Sequence, residues 1–234
     1  MASLAYRPDW EQARRRLCAW WRGGDLGRPA MQISVPREPP ADCVALPALP
    51  EGWLTDYSTL DLEYHVRLRL RNAASVAYLG EAGPWVRSGD LAPNCLAVYL
   101  GCEPREMPST VWCEPFLEDP EAARFEYDPD NPPWRFTLAA IRRTQELAGG
   151  KVLCEFPDLL EGLDTLAAMR GTQRLLVDLL ERPAWVHACL QQITDRYFRY
   201  YDVLYDLVRD EVGGSAYWSW APARSCAGNS SARS

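Results

Sequence analysis

Glu155, Asp158, Glu161 and Asp164 fall within one stretch, residues 151–183, which reads KVLCEFPDLLEGLDTLAAMRGTQRLLVDLLERP. Carboxylates gathered beside a short apolar segment suit proton transfer, because burial raises a carboxyl pKa toward neutrality and lets it donate or accept a proton. Glu155 stands near the C-terminal end of the apolar segment 151–156, where a strand would present it at the rim of a sheet. Asp158, Glu161 and Asp164 recur every three residues, so one helical turn brings them to roughly one side. A second reading stays open, in which Asp158 caps the following helix and Glu161 completes a capping box. The candidate catalytic set is Glu155, Asp158 and Glu161. Glu81, Arg87, Asn94, Glu114 and Arg170 are the candidate substrate-binding residues. Glu81 and Glu114 occupy similar strand-end settings, Asn94 lies in a Pro-Asn turn, and the arginines suit an acidic group. Plain alternatives are loop polarity for the two glutamates and complementing a helix dipole for Arg170.

No metal set is legible. His65 lies in a helical pattern without a second histidine four residues on, and His187 also stands alone. The eight cysteines, at 18, 43, 95, 102, 113, 154, 189 and 226, form no CxxC unit and read as reduced, mostly buried thiols. The formal charge of −7 and the lack of a basic block argue against nucleic acid. Arg14, Arg15 and Arg16, like Arg67, Arg69 and Arg71, read as solvated helix faces. No GxGxxG or P-loop suggests a nucleotide. Neither a membrane-length apolar run nor a signal-peptide pattern is seen, so the expected setting is the cytoplasm.

Periodicity supplies the elements. Trp10, Ala13, Leu17 and Trp20 predict a helix over 8–22, stopped at Gly23 and Gly24. The run 29–36, apolar and bounded by prolines, predicts a strand covered on both faces. Residues 36–50 are a Pro-rich loop. Leu62, Val66, Leu70 and Ala74 mark a helix over 61–77. Short strands and turns follow through 78–100, with 96–100 opening a further covering element, and then a strand at 109–115. Residues 118–133 read as an acidic, Pro-rich surface excursion, and 136–148 as a helix ended by Gly149 and Gly150. The strand 151–156 precedes helices, the last running from Pro183 to the Gly213-Gly214 stop. Trp218 and Trp220 alternate as strand residues. The succession indicates α/β organisation.

Residues 78–82, Thr110-Val111-Trp112, 158–164, Met169-Arg170-Gly171-Thr172-Gln173, 178–183 and Gly213-Gly214-Ser215 together resemble the uroporphyrinogen decarboxylase-like superfamily, which includes cobalamin-linked methyltransferases. The likeness covers roughly residues 8–220. It implies a (β/α)8 TIM-barrel-derived fold, here incomplete at its C-terminus: one partial barrel domain over 1–222 and an aberrant polar tail over 223–234. It also implies an enzyme lineage acting on a small molecule. Residues 28–33 lack the arginine-rich loop of the porphyrinogen decarboxylases, so methyl transfer to a thiol is the preferred expectation. A carboxy-lyase is the alternative, and a catalytically inactive barrel fragment or binding protein the third. The methyltransferase relatives imply zinc and a corrinoid protein as cofactor and partner, although this chain shows no matching ligand set. A second copy of the chain is the other expected partner.

Overall fold

The computed structural model describes residues 4–55, 57–58, 61–160, 162–210, 213–216 and 222–223. Helix α1 (Trp10–Trp21) buries Trp10, Ala13 and Leu17 of the stripe its periodicity marks, while Trp20, the fourth member, is exposed. Strand β1 (Gln32–Pro36) is followed by α2 (Leu62–Ala74), which starts where the Asp61 side chain accepts the Tyr64 N–H. Next come β2 (Val76–Gly80), β3 (Trp85–Val86) and the short helix α3 (Cys95–Tyr99), capped by Asn94. Strands β4 (Glu103–Met107) and β5 (Thr110–Glu114) form a hairpin. A single 3-10 turn (Pro120–Ala122) interrupts the acidic excursion. Helix α4 (Pro132–Ala148) opens on an Asn131 cap and prolines, whose missing donors cost nothing in a first turn, and stops at left-handed Gly149. The remaining elements are β6 (Leu153–Cys154), α5 (Gly162–Arg170), α6 (Thr172–Glu181), α7 (Pro183–Val208), β7 (Ser215–Ala216) and β8 (Pro222–Ala223).

The expected TIM barrel is not present. Among the described residues the strands form small open sheets of two, and none closes. A (β/α)8 barrel needs eight parallel strands in one ring. Here β1–β2, β4–β5 and β7–β8 pair antiparallel, and only β3–β6 pairs parallel. A parallel bridge from Glu155 to Ala216 sets β7 on the other side of β6, giving a short parallel row with β6 in the middle. The first strand departs from expectation for the same reason. Joined only to β2, it has all five residues exposed instead of being covered on both faces. Glu161, Trp218, Trp220 and the tail 224–234 lie outside the described residues.

The main core lies where α3, α4, α5 and α7 converge. Tyr99, Trp134 and Tyr200 meet there with ring centroids 4.9 to 5.2 Å apart. The two tyrosine hydroxyls are satisfied: Tyr200 donates to the Tyr99 carbonyl at 3.2 Å, and the Tyr99 and Thr137 hydroxyls pair at 2.7 Å. Helix α2 packs on α4 over a second cluster containing Val66, Leu70 and Ala140. His65 is fully buried in this packing, with its ring nitrogens against the Ser58 and Ser88 carbonyls. Burial lowers its pKa to about 4.

An ion cluster centred on one buried carboxylate joins α1 to the β1–β2 ribbon. Glu81, fully buried, accepts from Arg28 Nη2 at 2.5 Å and Nη1 at 3.0 Å, from Arg16 Nε at 2.7 Å and from the Met31 N–H at 2.8 Å. Hydrogen bonding from Arg28 leads in holding its pKa down to about 2, against the cost of burial.

Two stability outcomes are expected. Trp134→Ala empties the centre of the aromatic cluster and should cost about 3–5 kcal/mol in urea unfolding. Glu81 has a folded pKa below the ordinary 4.5, so its stabilisation is present above pH 4.5 and is lost as pH falls toward 2. Glu81→Gln should therefore destabilise by about 2 kcal/mol at neutral pH, allowing for water around the two arginines. That deficit should shrink on acidification below pH 4.5. A deficit unchanged across that range would show that the carboxylate charge is not the cause.

Candidate functional site

The parallel row positions the site. Leu153 N–H donates to the Pro84 carbonyl and Glu155 N–H to the Val86 carbonyl, both at 3.0 Å, while Phe156 N–H reaches Ala216 at 3.0 Å. This registers the C-terminal ends of β3 and β6, and places Arg87 beside Glu155. Arg87 Nε donates to Glu155 Oε1 at 2.9 Å, and Arg87 Nη1 to Asp90 Oδ2 at 3.3 Å. Both acids are buried, Glu155 at 4% and Asp90 at 2% exposure, so a single guanidinium contacts two desolvated carboxyls. Burial raises the pKa of each, against the pull of Arg87, and brings Glu155 to about 7. Glu155 Oε2 is buried and has no hydrogen-bond partner among the described residues.

Glu155 and Arg87 line a cavity of about 260 Å³, completed by Ser34, Arg69, Asn72 and Trp85 among others. Arg69 projects from α2 with its guanidinium 5.6 Å from the centre of the Tyr57 ring. Its charge also acts on Asp90 and Glu155. The cavity thus combines two cations, amide and hydroxyl groups, and a carboxyl that is part-protonated near neutrality.

Only some of the expected residues meet here. Glu155 and Arg87 do. Half-buried Asp158 follows β6 on the adjoining loop; its N–H donates to Asp90 Oδ1 at 2.7 Å and its carbonyl accepts Cys95 N–H at 2.8 Å. Glu161 lies outside the described residues. Glu81 belongs to the ion cluster beneath α1. Arg170 is buried against Asp178, with Nε to Oδ2 at 2.7 Å, and also holds the Leu117 and Glu118 carbonyls. Asn94 caps α3 through the Ala97 N–H and accepts from the Thr165 hydroxyl. Asn94 and Glu114 line a second, larger cavity of about 590 Å³ between the β4–β5 hairpin and α5, where Glu114 pairs with Arg105 at 2.9 Å. His187 is exposed on α7.

Asp90 and Arg69 escaped the reading of the sequence. Arg69 alternates with Arg67 and Arg71, and this even spacing disguised the one that turns inward. The Ser-Gly-Asp triplet ending at Asp90 is a turn signal, and a turn just after a strand end is the feature that marks it as a site position. Among the described residues no three histidine, cysteine, aspartate or glutamate side chains gather to hold a metal ion. The donor set therefore does not fit the zinc implied by the sequence resemblance. No protein-family model, curated protein or solved structure matches the chain. The site stands on its own geometry. No described helix is long and apolar enough to cross a membrane.

The raised pKa has a thermodynamic signature. Folded Glu155 retains a proton that the unfolded chain releases above pH 4.5, so its contribution is intact below pH 4.5 and is lost as pH rises through about 7. Glu155→Gln keeps the shape without the charge. Relative to wild type it should gain about 2–3 kcal/mol between the acid and alkaline sides of this window, read as urea midpoints across pH. A stability difference independent of pH would mean that Glu155 ionises normally.

Proposed function

We propose that the protein catalyses proton transfer to or from a small bound molecule, with Glu155 carrying the proton. This is the chemistry a carboxy-lyase requires when hydrogen replaces a departing carboxyl group. The observation that carries the reading is Glu155 Oε2, buried at the cavity wall and without a partner, on a carboxyl whose pKa burial brings to about 7. An acid poised near the working pH holds its proton for part of the time and surrenders it at low cost.

The surrounding groups have separable tasks. Arg87 holds Oε1 and fixes the carboxyl, while Oε2 stays buried without a protein partner on a residue that lines the cavity. Arg69 adds positive charge to a cavity in which Arg87 already contacts two carboxyls, and this suits a single anionic substituent. Asn72 and Ser34 add neutral hydrogen-bonding groups. In a decarboxylation the C–C bond to the carboxylate breaks, its electron pair stays on the substrate carbon, and Glu155 supplies the proton that quenches it. Water then reprotonates Glu155. The cavity volume, near the ~300 Å³ lower bound of common ligand pockets, favours a compact substrate. No observation at this site favours thiol methylation, which relies on a metal-activated thiolate.

The test uses a panel of small carboxylic acids, with carbon dioxide release and deuterium uptake from heavy water as readouts. Turnover should fall as pH rises through about 7, where Glu155 loses its proton. Glu155→Gln should lower turnover by about a hundredfold or more while remaining folded. Equal turnover by the variant, or neither readout with any acid in the panel, would remove this assignment.

A further inference from the structure

The β4–β5 hairpin carries a second cluster of reactive groups, separate from Glu155. Cys102 and Cys113 are both free thiols. The hairpin register sets Pro104 opposite Cys113 and Glu103 opposite Glu114, so Cys102, just before β4, lies diagonally across from Cys113 on the same face. Diagonal neighbours on one face of a twisted hairpin lie within side-chain reach. The approach is fixed from both sides. Gly101, at φ 113°, turns the chain out of α3, and the Cys102 N–H is held by the Ala97 carbonyl at 2.9 Å. Cys113 Sγ lies 3.9 Å from the Asn94 carbonyl at the start of α3.

The two thiols differ in access. Cys102 is 3% exposed and belongs to the main core. Cys113 is half-buried and lines the cavity of about 590 Å³. The other free cysteines are placed differently: Cys95, Cys154 and Cys189 are buried, and Cys43 stands in the Pro-rich loop beside the α2–α4 cluster.

We propose that Cys102 and Cys113 form a reversible dithiol–disulfide pair, oxidised by a small-molecule disulfide that reaches Cys113 through the larger cavity. Cys113 is the attacking thiol and Cys102 the resolving one. Access assigns these roles, since Cys113 lines the cavity while burial of Cys102 among core side chains raises its pKa and keeps its proton in place. Nucleophilic thiols are those with thiolate character and access. With glutathione disulfide as oxidant, the Cys113 thiolate bonds to one glutathione sulfur and the S–S bond breaks, releasing one glutathione thiolate. Cys102 then loses its proton to water and attacks Cys113 Sγ, expelling the second glutathione. Two protein thiols are oxidised by two electrons, and one glutathione disulfide becomes two glutathiones. The product staples the start of β4 to β5 beside Asn94, narrowing the movement open to the wall of the larger cavity.

The experiment treats the full chain with glutathione disulfide at neutral pH, blocks remaining thiols by alkylation, and maps linkages by mass spectrometry of non-reduced digests. A Cys102–Cys113 linked peptide is expected, reversed by dithiothreitol, while Cys43 forms only a mixed disulfide. Cys102→Ser should trap glutathione on Cys113, and Cys113→Ser should slow modification of Cys102 by about tenfold or more. Without any substitution, native Cys113 should be alkylated about tenfold faster than Cys102. Failure of the linked peptide to form while Cys43 reacts, or equal alkylation rates for Cys102 and Cys113, would overturn the proposal even if a serine variant failed to fold.

Discussion

One guanidinium faces two buried carboxyls, and the candidate site follows from that imbalance. Arg87 bonds both Glu155 and Asp90 in a region where few water molecules remain to stabilise a second negative charge. Arg69 moderates the imbalance from α2 without removing it, since burial still leads for both acids. Retaining a proton relieves it. The sequence positions that create this state are 68 residues apart in the Arg87–Glu155 pair, and the short parallel contact of β3 with β6 brings them together.

Glu81 shows what the same side chain does when its surroundings are different. It accepts hydrogen bonds from two arginines and the Met31 N–H and stays ionised, with a pKa near 2. Glu155 receives one such bond and settles near 7. Both side chains are shielded from solvent, but Glu155 sits deeper among protein atoms, so burial leads there while hydrogen-bond donors lead at Glu81. Depth and donor number together make one residue a structural tie and the other a proton carrier under the proposed function.

Helices were the most legible part of the sequence, because their buried stripes depend on neighbours three and four places away. Trp10, Ala13 and Leu17 are buried on α1, and Val66, Leu70 and Ala74 on α2. The strand prediction at 29–36 had the extended conformation right over 32–36 but its surroundings wrong, since an apolar run between prolines does not reveal how many sheets will cover it. Glu155 was legible through its place after an apolar segment. Asp90 was not, because its importance comes from Arg87, the Asp158 amide and Cys95, which only the folded chain assembles. Asp158 shows the related limit of spacing: its acid type was conspicuous, yet its backbone is what ties the site loop to α3.

The β1–β2 ribbon is lopsided. Along β2, Arg7 occupies the Tyr78 and Gly80 carbonyls, and Arg16 adds a second donor to Gly80. Along β1 every side chain meets water, including Ile33 and Val35, and Met31 and Leu79 continue the greasy row. Strand edges of this composition are templates for intermolecular pairing. Crowding therefore bears on colloidal behaviour through this ribbon, whose exposed apolar row lies apart from the aromatic interior.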